Sequence, residues 1–225
     1  MLVKEHMNKF PICIGKHESI DAAAKVMHDN NIRHMPVLDD GKLVGLLSNT
    51  DIMRAMPSKV TTLEKREATY LFSMVKVKDA LPDHQDVITI NDDACIEEAA
   101  LLMRSYKIGC LPVLNNGKLV VIITESDIFD LFLDLLGVRN SGSRLSVRIS
   151  DEPGEVAKVA EVIRSFGANI TKLAMFPIAG PPKCYDLIIR TDAREIQPIA
   201  EALRVNGFSV DSSAEYSQVF SHIHG

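Results

Sequence analysis

Two short segments place a hydroxyl and a carboxylate three residues apart, directly after an apolar run. They are Ser48 with Asp51 and Thr124 with Asp127. This spacing is typical of a capping box, in which the two side chains satisfy backbone N–H groups at the start of a helix. The start of a helix also attracts anions, so the same pair can bind a phosphate group. The residues alone leave both interpretations open.

The two segments close the two copies of an internal duplication. Residues 14–52 align without a gap onto residues 90–128, and 15 of the 39 positions are identical. Nine of those identities fall in the last 17 positions, where both copies carry the run Pro-Val-Leu-x-x-Gly-Lys-Leu-Val. Because a solenoid needs about three repeats or more, two copies predict a pseudo-twofold pair that shares one core.

Each copy predicts the element order β-α-β-β-α. The helices follow from apolar residues at the spacing i, i+3, i+4, i+7. The hairpins follow from Asp40-Gly41 and Asn116-Gly117, because both residues of such a dipeptide adopt positive φ in a type I′ turn. The predicted positions are strands at 11–14 and 87–90, helix faces formed by Ile20, Ala23, Ala24 and Met27 or by Ile96, Ala99, Ala100 and Met103, and second hairpin strands at 43–47 and 119–123.

This unit resembles a CBS domain, through its hairpin and through the ending that carries Gly45, Ser48 and Asp51. Two units in tandem resemble a Bateman module that covers roughly residues 1–136. The resemblance implies a regulatory adenine-containing ligand, namely AMP, ADP, ATP, NAD or S-adenosylmethionine, in clefts between the repeats. It also implies that the Asp holds the ribose hydroxyls, that the Ser or Thr meets phosphate, and that no other cofactor is required.

The resemblance transfers the family's ligand positions to 14 residues of this chain. These candidate nucleotide-binding residues are Ile12, Ile32, Arg33, His34, Leu46, Ser48, Asp51, Ile88, Ile108, Gly109, Cys110, Ile122, Thr124 and Asp127. His34 and Cys110 occupy matching positions near the expected adenine contact. We therefore expect both to line the site rather than to act as nucleophiles.

The two copies differ in charge around these positions. The differences are Arg33 against Gly109, Gly45 against Val121, Asn49 against Glu125 and Arg54 against Asp130. Because cations pair with phosphate and carboxylates repel it, we expect a polyphosphate against Ser48 and Asp51. We expect the other cleft to be weak, empty or filled by a less charged adenine ligand. Since sites of this family can mix residues of both repeats, phosphates can also cross toward the other copy.

The C-terminal third predicts a second domain with the ferredoxin-like order β-α-β-β-α-β. The predicted elements are strands at 145–149, 170–176, 184–190 and 208–210, a helix at 155–166 closed by Gly167, and a helix that carries Ile199, Ala200 and Leu203, has Pro198 in its first turn and ends at Gly207.

This stretch resembles an ACT domain over residues 144 to about 212. The resemblance depends on Asp151-x-Pro153-Gly154 and on Gly167-x-Asn169-Ile170. It implies a small amino-acid-type effector, often bound across a dimer interface, with Gly154 and Asn169 as candidate effector-binding residues. As purely local structure, the same residues make a tight turn and a loop.

The predicted fold class is α/β (α+β), with a tandem CBS pair followed by one ferredoxin-like ACT domain. This arrangement resembles the acetoin-utilisation protein B family. We place the boundaries at 1–57 for the first repeat, 58–76 for a connecting segment with a helix near 63–72, 77–136 for the second repeat, 137–143 for a flexible linker, 144–215 for the ACT domain and 216–225 for a tail.

Composition and missing motifs exclude several classes of protein. A net charge of −5 without a Lys/Arg run argues against a nucleic-acid or anionic-membrane surface. No apolar run approaches the length of a spanning helix, no secretory signal is visible, and four scattered cysteines predict reduced thiols. We therefore expect a cytoplasmic protein. The sequence has no metal or nucleophile motif, and His222 and His224 near its end are expected to be solvated.

These observations predict a non-catalytic regulator in central or acetoin metabolism. Its occupancy by an adenine nucleotide would change a surface or an oligomer that a protein partner recognises, and we expect a homodimer. One alternative is a regulatory subunit of a separate enzyme. Another is an enzyme that uses the nucleotide as its substrate, which the missing acid–base and metal residues disfavour. No motif identifies the nucleotide, the effector or the partner.

Overall fold

Two three-stranded sheets and one four-stranded sheet form the framework of the protein. They belong to two compact units, residues 1–128 and residues from 129 onward. The predicted connecting helix near 63–72 and the tail histidines lie outside the described residues. A computed structural model of the chain describes residues 1–5, 11–55, 74–82, 86–139 and 142–216.

The first unit contains both repeats, and both have the same element order. Repeat 1 consists of β1 (Ile14–Gly15), α1 (Ile20–Asp29), β2 (His34–Asp39), β3 (Lys42–Ser48) and α2 (Asn49–Ala55). After the short helix α3 (Val77–Ala80), repeat 2 consists of β4 (Ile90–Asn91), α4 (Ile96–Tyr106), β5 (Cys110–Asn115), β6 (Lys118–Thr124) and α5 (Glu125–Leu135), which continues into the second unit. The predicted order is confirmed, although β1 and β4 are shorter than predicted.

The hairpin turns have the backbone conformation that their dipeptides predict. The φ angles are 46° and 77° at Asp40 and Gly41, and 48° and 75° at Asn116 and Gly117. Positive φ at both central residues matches the right-handed twist of the flanking strands. Both hairpins therefore bring their third strand back along the second in the same register, with the same irregularity one residue after Val37 or Val113.

The helices after the first strands bury the apolar face that their periodicity predicts. In repeat 1, Ile20, Ala23 and Met27 are at most 2% exposed, and Ala24 is half-buried at the edge of the stripe. In repeat 2 the equivalent Ile96, Ala99 and Met103 are at most 5% exposed, and Ala100 is half-buried. The core of repeat 1 contains Ile14, Ala23, Met27, Met35, Val37, Leu47, Ile52 and Val77.

The two repeats exchange their first apolar residue. Val3, in a short 3₁₀ helix, donates its N–H to the carbonyl of Ala94 beside repeat 2 at 3.0 Å. Val77, the matching residue before repeat 2, donates to the carbonyl of Glu18 at 2.9 Å and joins the core of repeat 1. Both valines are fully buried. Each repeat therefore completes the other, an arrangement that the linear alignment does not reveal.

The second unit is an antiparallel sheet of four strands with two helices. Its elements are β7 (Gly142–Ser150), α6 (Glu155–Ser165), β8 (Ile170–Ile178), β9 (Cys184–Thr191), α7 (Gln197–Val205) and β10 (Ser209–Tyr216). The strand order β10-β7-β9-β8 gives the predicted ferredoxin-like topology. Pro198 lies in the first turn of α7, and Gly167 follows α6 with φ of 71°, both as predicted.

Strand β7 begins three residues before the predicted start. Gly142 and Ser143, which were placed in the flexible linker, already pair with β10 and β9. Ser143 is 1% exposed, and its hydroxyl donates to the carbonyl of Ala193 at 2.8 Å. A buried serine with a partner fixes the chain here, so the predicted linker ends earlier than its composition suggests.

Candidate functional site

A cleft of about 480 Å³ lies between the two repeats. Repeat 1 contributes the approach to β1 and the turn before β2, while repeat 2 contributes β6 and the start of α5. The lining residues are Pro11, Ile12, Asn31, Ile32, Arg33, His34, Gly109, Val121, Ile122, Thr124, Glu125, Ser126 and Asp127. The cleft therefore combines apolar side chains with a helix start and with charges of both signs.

Capping boxes fix the helix start in each repeat. In repeat 2, Oδ2 of Asp127 accepts from the backbone N–H of Thr124 at 2.8 Å and from its hydroxyl at 2.6 Å. In repeat 1, Oδ2 of Asp51 accepts the same two bonds from Ser48 at 2.9 and 2.5 Å. The capping interpretation is thus confirmed for both pairs. Each cap fixes the hydroxyl and the carboxylate at the start of its helix. A cap of this kind does not prevent the same residues from binding a ligand.

Of the 14 candidate residues, eight line this cleft. They are Ile12, Ile32, Arg33, His34, Gly109, Ile122, Thr124 and Asp127. The other six occupy the equivalent positions, 76 residues away, on the other side of the pseudo-twofold relation. These are Leu46, Ser48, Asp51, Ile88, Ile108 and Cys110. Five further residues line the cleft without being among the candidates, namely Pro11, Asn31, Val121, Glu125 and Ser126. Each is adjacent in sequence to a candidate residue, so extending each motif by one position would find them.

The cleft does not keep the charges of one repeat together. Arg33, from repeat 1, lines the same cleft as Glu125 and Asp127 from repeat 2. The predicted cationic site at Ser48 and anionic site at Thr124 came from comparing the two copies position by position, with each site built from one copy. That premise is wrong for the described cleft, because its walls come from different repeats. Whether phosphate prefers Ser48 and Asp51 stays a prediction.

His34 and Cys110 are equivalent positions at which burial favours the neutral side chain and so shifts the pKa in opposite directions. Burial lowers the pKa of His34, and the positive charge of Arg33 lowers it further, while Asp51 and Glu125 act in the opposite direction. Burial and, to a smaller extent, the negative charge of Glu125 together raise the pKa of Cys110 to about 12. The Cys110 thiol is therefore neutral near pH 7, which disfavours a nucleophile. Cys110 is 1% exposed and does not line the described cleft, so its place in a ligand site stays a prediction.

Gly109 provides the space in which His34 lies. A Cβ atom at this position would stand 3.3 Å from Cε1 of His34 and 3.7 Å from Oε2 of Glu125. The first distance is tighter than an ordinary van der Waals contact. The imidazole and the carboxylate therefore both lie against the backbone of Gly109, where a larger residue would displace them.

Metal and membrane features are not found in the described ranges. Within residues 1–5, 11–55, 74–82, 86–139 and 142–216, no three His, Cys, Asp or Glu side chains are grouped to hold a metal ion. None of the helices in the same ranges combines the length and the apolar run that crossing a bilayer requires. All four cysteines are free thiols.

The two candidate effector residues of the second unit lie at opposite ends of α6. Gly154 precedes the helix with φ of 92°, and Asn169 follows it. The 11 residues of α6 separate them by about 16 Å. Asn169 donates its backbone N–H to Oδ1 of Asp192 at 2.7 Å, as a loop residue would. Gly154 and Asn169 were expected to share one effector site, but a single chain does not bring them together.

Comparison with known proteins identifies the repeats. The CBS domain family model matches residues 3–58 and 77–134, just over half of the chain. A CBS domain-containing protein of Dictyostelium discoideum, DDB_G0289609, is 33% identical over 138 residues, which cover 60% of this chain and 94% of that protein.

Two solved structures resemble the same part of the chain. One, from Vibrio cholerae, is provisionally named an acetoin utilization protein (AcuB); it is 29% identical, covers 61% of this chain and 94% of its own, and gives a TM-score of 0.51. The other is the CBS domain pair of protein MJ0100 in complex with 5′-methylthioadenosine and S-adenosyl-L-methionine, at 30% identity, 59% and 95% coverage and a TM-score of 0.48. The duplicated fold, the shared cleft and the family match agree, and this chain belongs to the CBS-domain family.

Proposed function

We propose that this protein is a regulator that binds an adenosine-containing ligand in the cleft between its CBS repeats. CBS-domain pairs are generally regulatory modules. The single observation that supports this most is the composition of the 480 Å³ cleft, in which a capped helix start meets apolar side chains and Arg33. A nucleoside needs an apolar slot, an acceptor for its hydroxyls and, where it is phosphorylated, donors for its anion.

Asp127 is the proposed acceptor for the ribose. Both bonds from Thr124 end on Oδ2 of Asp127. A carboxylate has two oxygens with about four lone pairs in all, so Oδ1 can accept from the ribose hydroxyls while the cap stays intact. The cap also fixes the rotamer of the carboxylate before the ligand arrives, which lowers the entropy cost of binding.

Three isoleucines offer the proposed surface for the purine ring. Ile12, Ile32 and Ile122 come from three separate segments and line the same cleft. Ile12 is 37% exposed, so a ligand in the cleft can bury more of its side chain. Burying such carbons against an adenine ring would supply affinity without specificity for phosphate.

The equivalent cleft, built on Ser48 and Asp51, is the second proposed site. It has Asn49 where the described cleft has Glu125, so it presents one carboxylate fewer to a phosphate chain. We retain the proposal that a polyphosphate such as ATP binds against Ser48 and Asp51. The described cleft would then take the less charged ligand.

Calorimetric titration of stripped protein tests both sites. AMP, ADP, ATP, NAD and S-adenosylmethionine are titrated into the wild type and into D127A and D51A. We expect one ligand to bind in the micromolar range and to lose about tenfold or more in affinity in only one variant. The variants are matched, because each loses one capping box, so circular dichroism checks that both remain folded. No binding of any of the five ligands to folded wild type would contradict the proposal, and equal losses would contradict two distinct sites.

A second proposed function concerns the second unit. Its ferredoxin-like order supports an ACT domain, and Gly154 is exposed, with no atom within 4 Å of the position of a Cβ. Its backbone N–H at the start of α6 is a suitable donor for the carboxylate of an amino-acid effector. Because Asn169 lies at the other end of α6, a site containing both residues needs a second copy of the chain.

The exposed edge of the second unit supports a homodimer. Strand β8 ends the sheet order and exposes Leu173, Met175 and Phe176 at 45–48%. An apolar edge strand favours pairing with another strand. Light scattering should give a dimer mass, and L173K together with M175K should give a monomer. A monomeric wild type would contradict the dimer, while a dimer in which no amino acid binds would contradict only the effector.

Two further alternatives have direct tests. If the protein is an enzyme, ATP incubated with it and magnesium should be consumed within hours, whereas a regulator leaves it intact. If it is a subunit of a separate enzyme, that enzyme should co-purify with it. We propose that it acts in the cytoplasm, where its four free thiols stay reduced.

A further inference from the structure

The described cleft carries an excess of negative charge at neutral pH. Its lining includes the guanidinium of Arg33 and the carboxylates of Glu125 and Asp127. A phosphate group that enters this cleft would increase its excess of negative charge. Among the described residues that line it, His34 is the one histidine, and histidine is the residue type that can supply a compensating charge by binding a proton.

The position of His34 makes it responsive to a ligand. It begins β2 opposite Ser48, is half-buried, and lies over the backbone of Gly109 beside the carboxylate of Glu125. The charged groups that face it are Arg33 from its own segment, Asp51 from α2 and Glu125 from α5. The imidazole thus has charges of both signs near it, and it forms part of the cleft wall, where it is half-buried.

The neutral imidazole is the resting form at pH 7. Burial and the neighbouring guanidinium of Arg33 lower the pKa of His34, which disfavours the charged ring in spite of the two carboxylates. An anion held beside Arg33 would offset that positive charge and would pair with an imidazolium. The proton affinity of His34 therefore increases when the cleft holds an anion and does not increase when it holds a neutral molecule.

We propose that His34 takes up a proton from solvent when a phosphate-bearing nucleoside binds this cleft, so that pH sets the affinity of the cleft for anionic ligands. This inference rests on the proposed function. The proton adds to the lone pair of the unprotonated ring nitrogen, and no bond to the ligand forms or breaks. By reciprocity, acidification strengthens the binding of the anion by the same factor as the anion strengthens binding of the proton.

The equivalent position in repeat 2 lacks this response. Cys110 is 1% exposed, and its thiol stays neutral until about pH 12. A buried neutral thiol can neither gain a proton nor pair with phosphate as a cation. Of these two equivalent residues, His34 alone can therefore gain a charge when an anion binds beside it.

Proton-linked calorimetry tests the proposal. AMP and adenosine are titrated into the full chain near pH 6.5, in two buffers with different ionisation enthalpies, and the bound protons are obtained from the difference in heat. The variants are H34Q, which keeps a hydrogen-bonding side chain that does not titrate, and H28Q as the matched control, because the side chain of His28 is 90% exposed and does not line the cleft. The phosphate of AMP itself titrates near pH 6, so the number obtained with H34Q is subtracted.

We expect the wild type and H28Q to take up more protons per AMP than H34Q near pH 6.5, and adenosine to cause no difference. The dissociation constant for AMP should fall about threefold to tenfold more between pH 7.5 and 6.0 in the wild type than in H34Q. A second measurement uses no variant: the Cε1–H resonance of His34 should titrate at higher pH in the AMP complex than in the free protein.

The outcomes separate the two hypotheses. If AMP binds with the same proton uptake in the wild type and H34Q, or if the His34 resonance titrates at the same pH with and without AMP, the inference on His34 is overturned and the proposed function stands. If neither AMP nor adenosine binds folded wild type at either pH, the inference on His34 is overturned, while the titration with all five ligands decides the adenosine-containing site separately. A misfolded H34Q leaves the decision to the resonance titration.

Discussion

The two CBS repeats share a backbone and differ in the chemistry attached to it. Both hairpins turn through residues with positive φ, and both helix starts carry the same three bonds between a hydroxyl residue and an Asp. The hairpin turns and helix caps, which determine the backbone path, thus recur at matching positions. Few residue types fit a turn with positive φ or a helix cap, and both copies use similar residues there.

Polar contacts recur in position but not in kind. Nζ of Lys16 donates to Oδ2 of Asp39 at 2.5 Å in repeat 1. At the matching positions of repeat 2, Nδ2 of Asn115 donates to Oδ2 of Asp92 at 2.6 Å, with the acid on the other side of the contact. The same link joins the loop after the first strand to the second strand of each repeat. It is an ion pair in repeat 1 and a hydrogen bond from an amide in repeat 2. The fold therefore places these two positions in contact in both repeats, while the charges of the two side chains differ between the repeats.

The largest effect is expected where the repeats exchange residues. V77A and V3A each remove two methyl groups from a fully buried site, which should cost about 2–3 kcal/mol in the free energy of unfolding. Because each valine packs beside the opposite repeat, both variants should reduce hydrogen-exchange protection in both repeats. V44A, at a position that is 40% exposed, is the matched control and should cost less than about 0.5 kcal/mol. Loss of protection confined to one repeat would show that the repeats fold independently.

Turn and helix signals made the fold predictable from sequence. The Asp-Gly and Asn-Gly dipeptides, the apolar stripe through Ile20 and Met27, and Gly167 after α6 each encode local geometry within a few residues. The structure has each of them at the predicted place. The exchange of Val3 and Val77 was not predictable in this way, since it depends on contacts between segments more than 15 residues apart.

The candidate site was predictable as a set of residues but not as a cleft. The motif positions around Thr124 and Asp127 are close in sequence, and they line the cleft together. Arg33 and His34 of the other repeat also line the cleft. The spacing of residues along the chain does not predict which segments of the two repeats lie next to each other. The charge balance followed from that pairing, so it could not be obtained by comparing the copies one position at a time.

The helix caps allow the comparison to be sharpened by an exchange of residues. Oγ of Ser19 accepts from the N–H of Ala22 at 3.1 Å, whereas Cys95 occupies the matching cap without a side-chain bond. The backbone at the two caps is nearly the same, with φ and ψ of −79° and 151° against −72° and 144°. S19A should therefore cost about 1 kcal/mol, and C95S should add about 0.5–1 kcal/mol, in urea unfolding. C184S changes a thiol away from any cap and should be neutral; destabilisation by C95S would mean that the thiol packs better than a cap.

The pH dependence of stability should differ in sign between the matching residues His34 and Cys110. The folded protein has a lowered pKa at His34, so the unfolded chain binds this proton more readily. Stability should therefore fall as pH decreases below about 6.5, and H34Q should flatten that fall. Cys110 has its pKa raised from 9.0 to about 12, so its contribution is lost as pH rises above 9.0, and C110S should flatten that loss. Unfolding temperatures from pH 5 to 10 measure both, and identical profiles for the two variants would contradict the assignment.

The smallest expected effect distinguishes the ion pair from the amide. Lys16 and Asp39 are 31% and 32% exposed, so their pair should contribute less than about 1 kcal/mol at low salt. At 1 M salt the screening length is about 3 Å, and K16M should then cost almost nothing. N115A removes a neutral donor from Asp92, and its cost should change much less with salt. Unfolding midpoints of both variants at low and high salt make the comparison. If both costs vanish together, the two contacts are electrostatically alike; if neither changes, the aliphatic stem of Lys16 rather than its charge holds the loop to the hairpin.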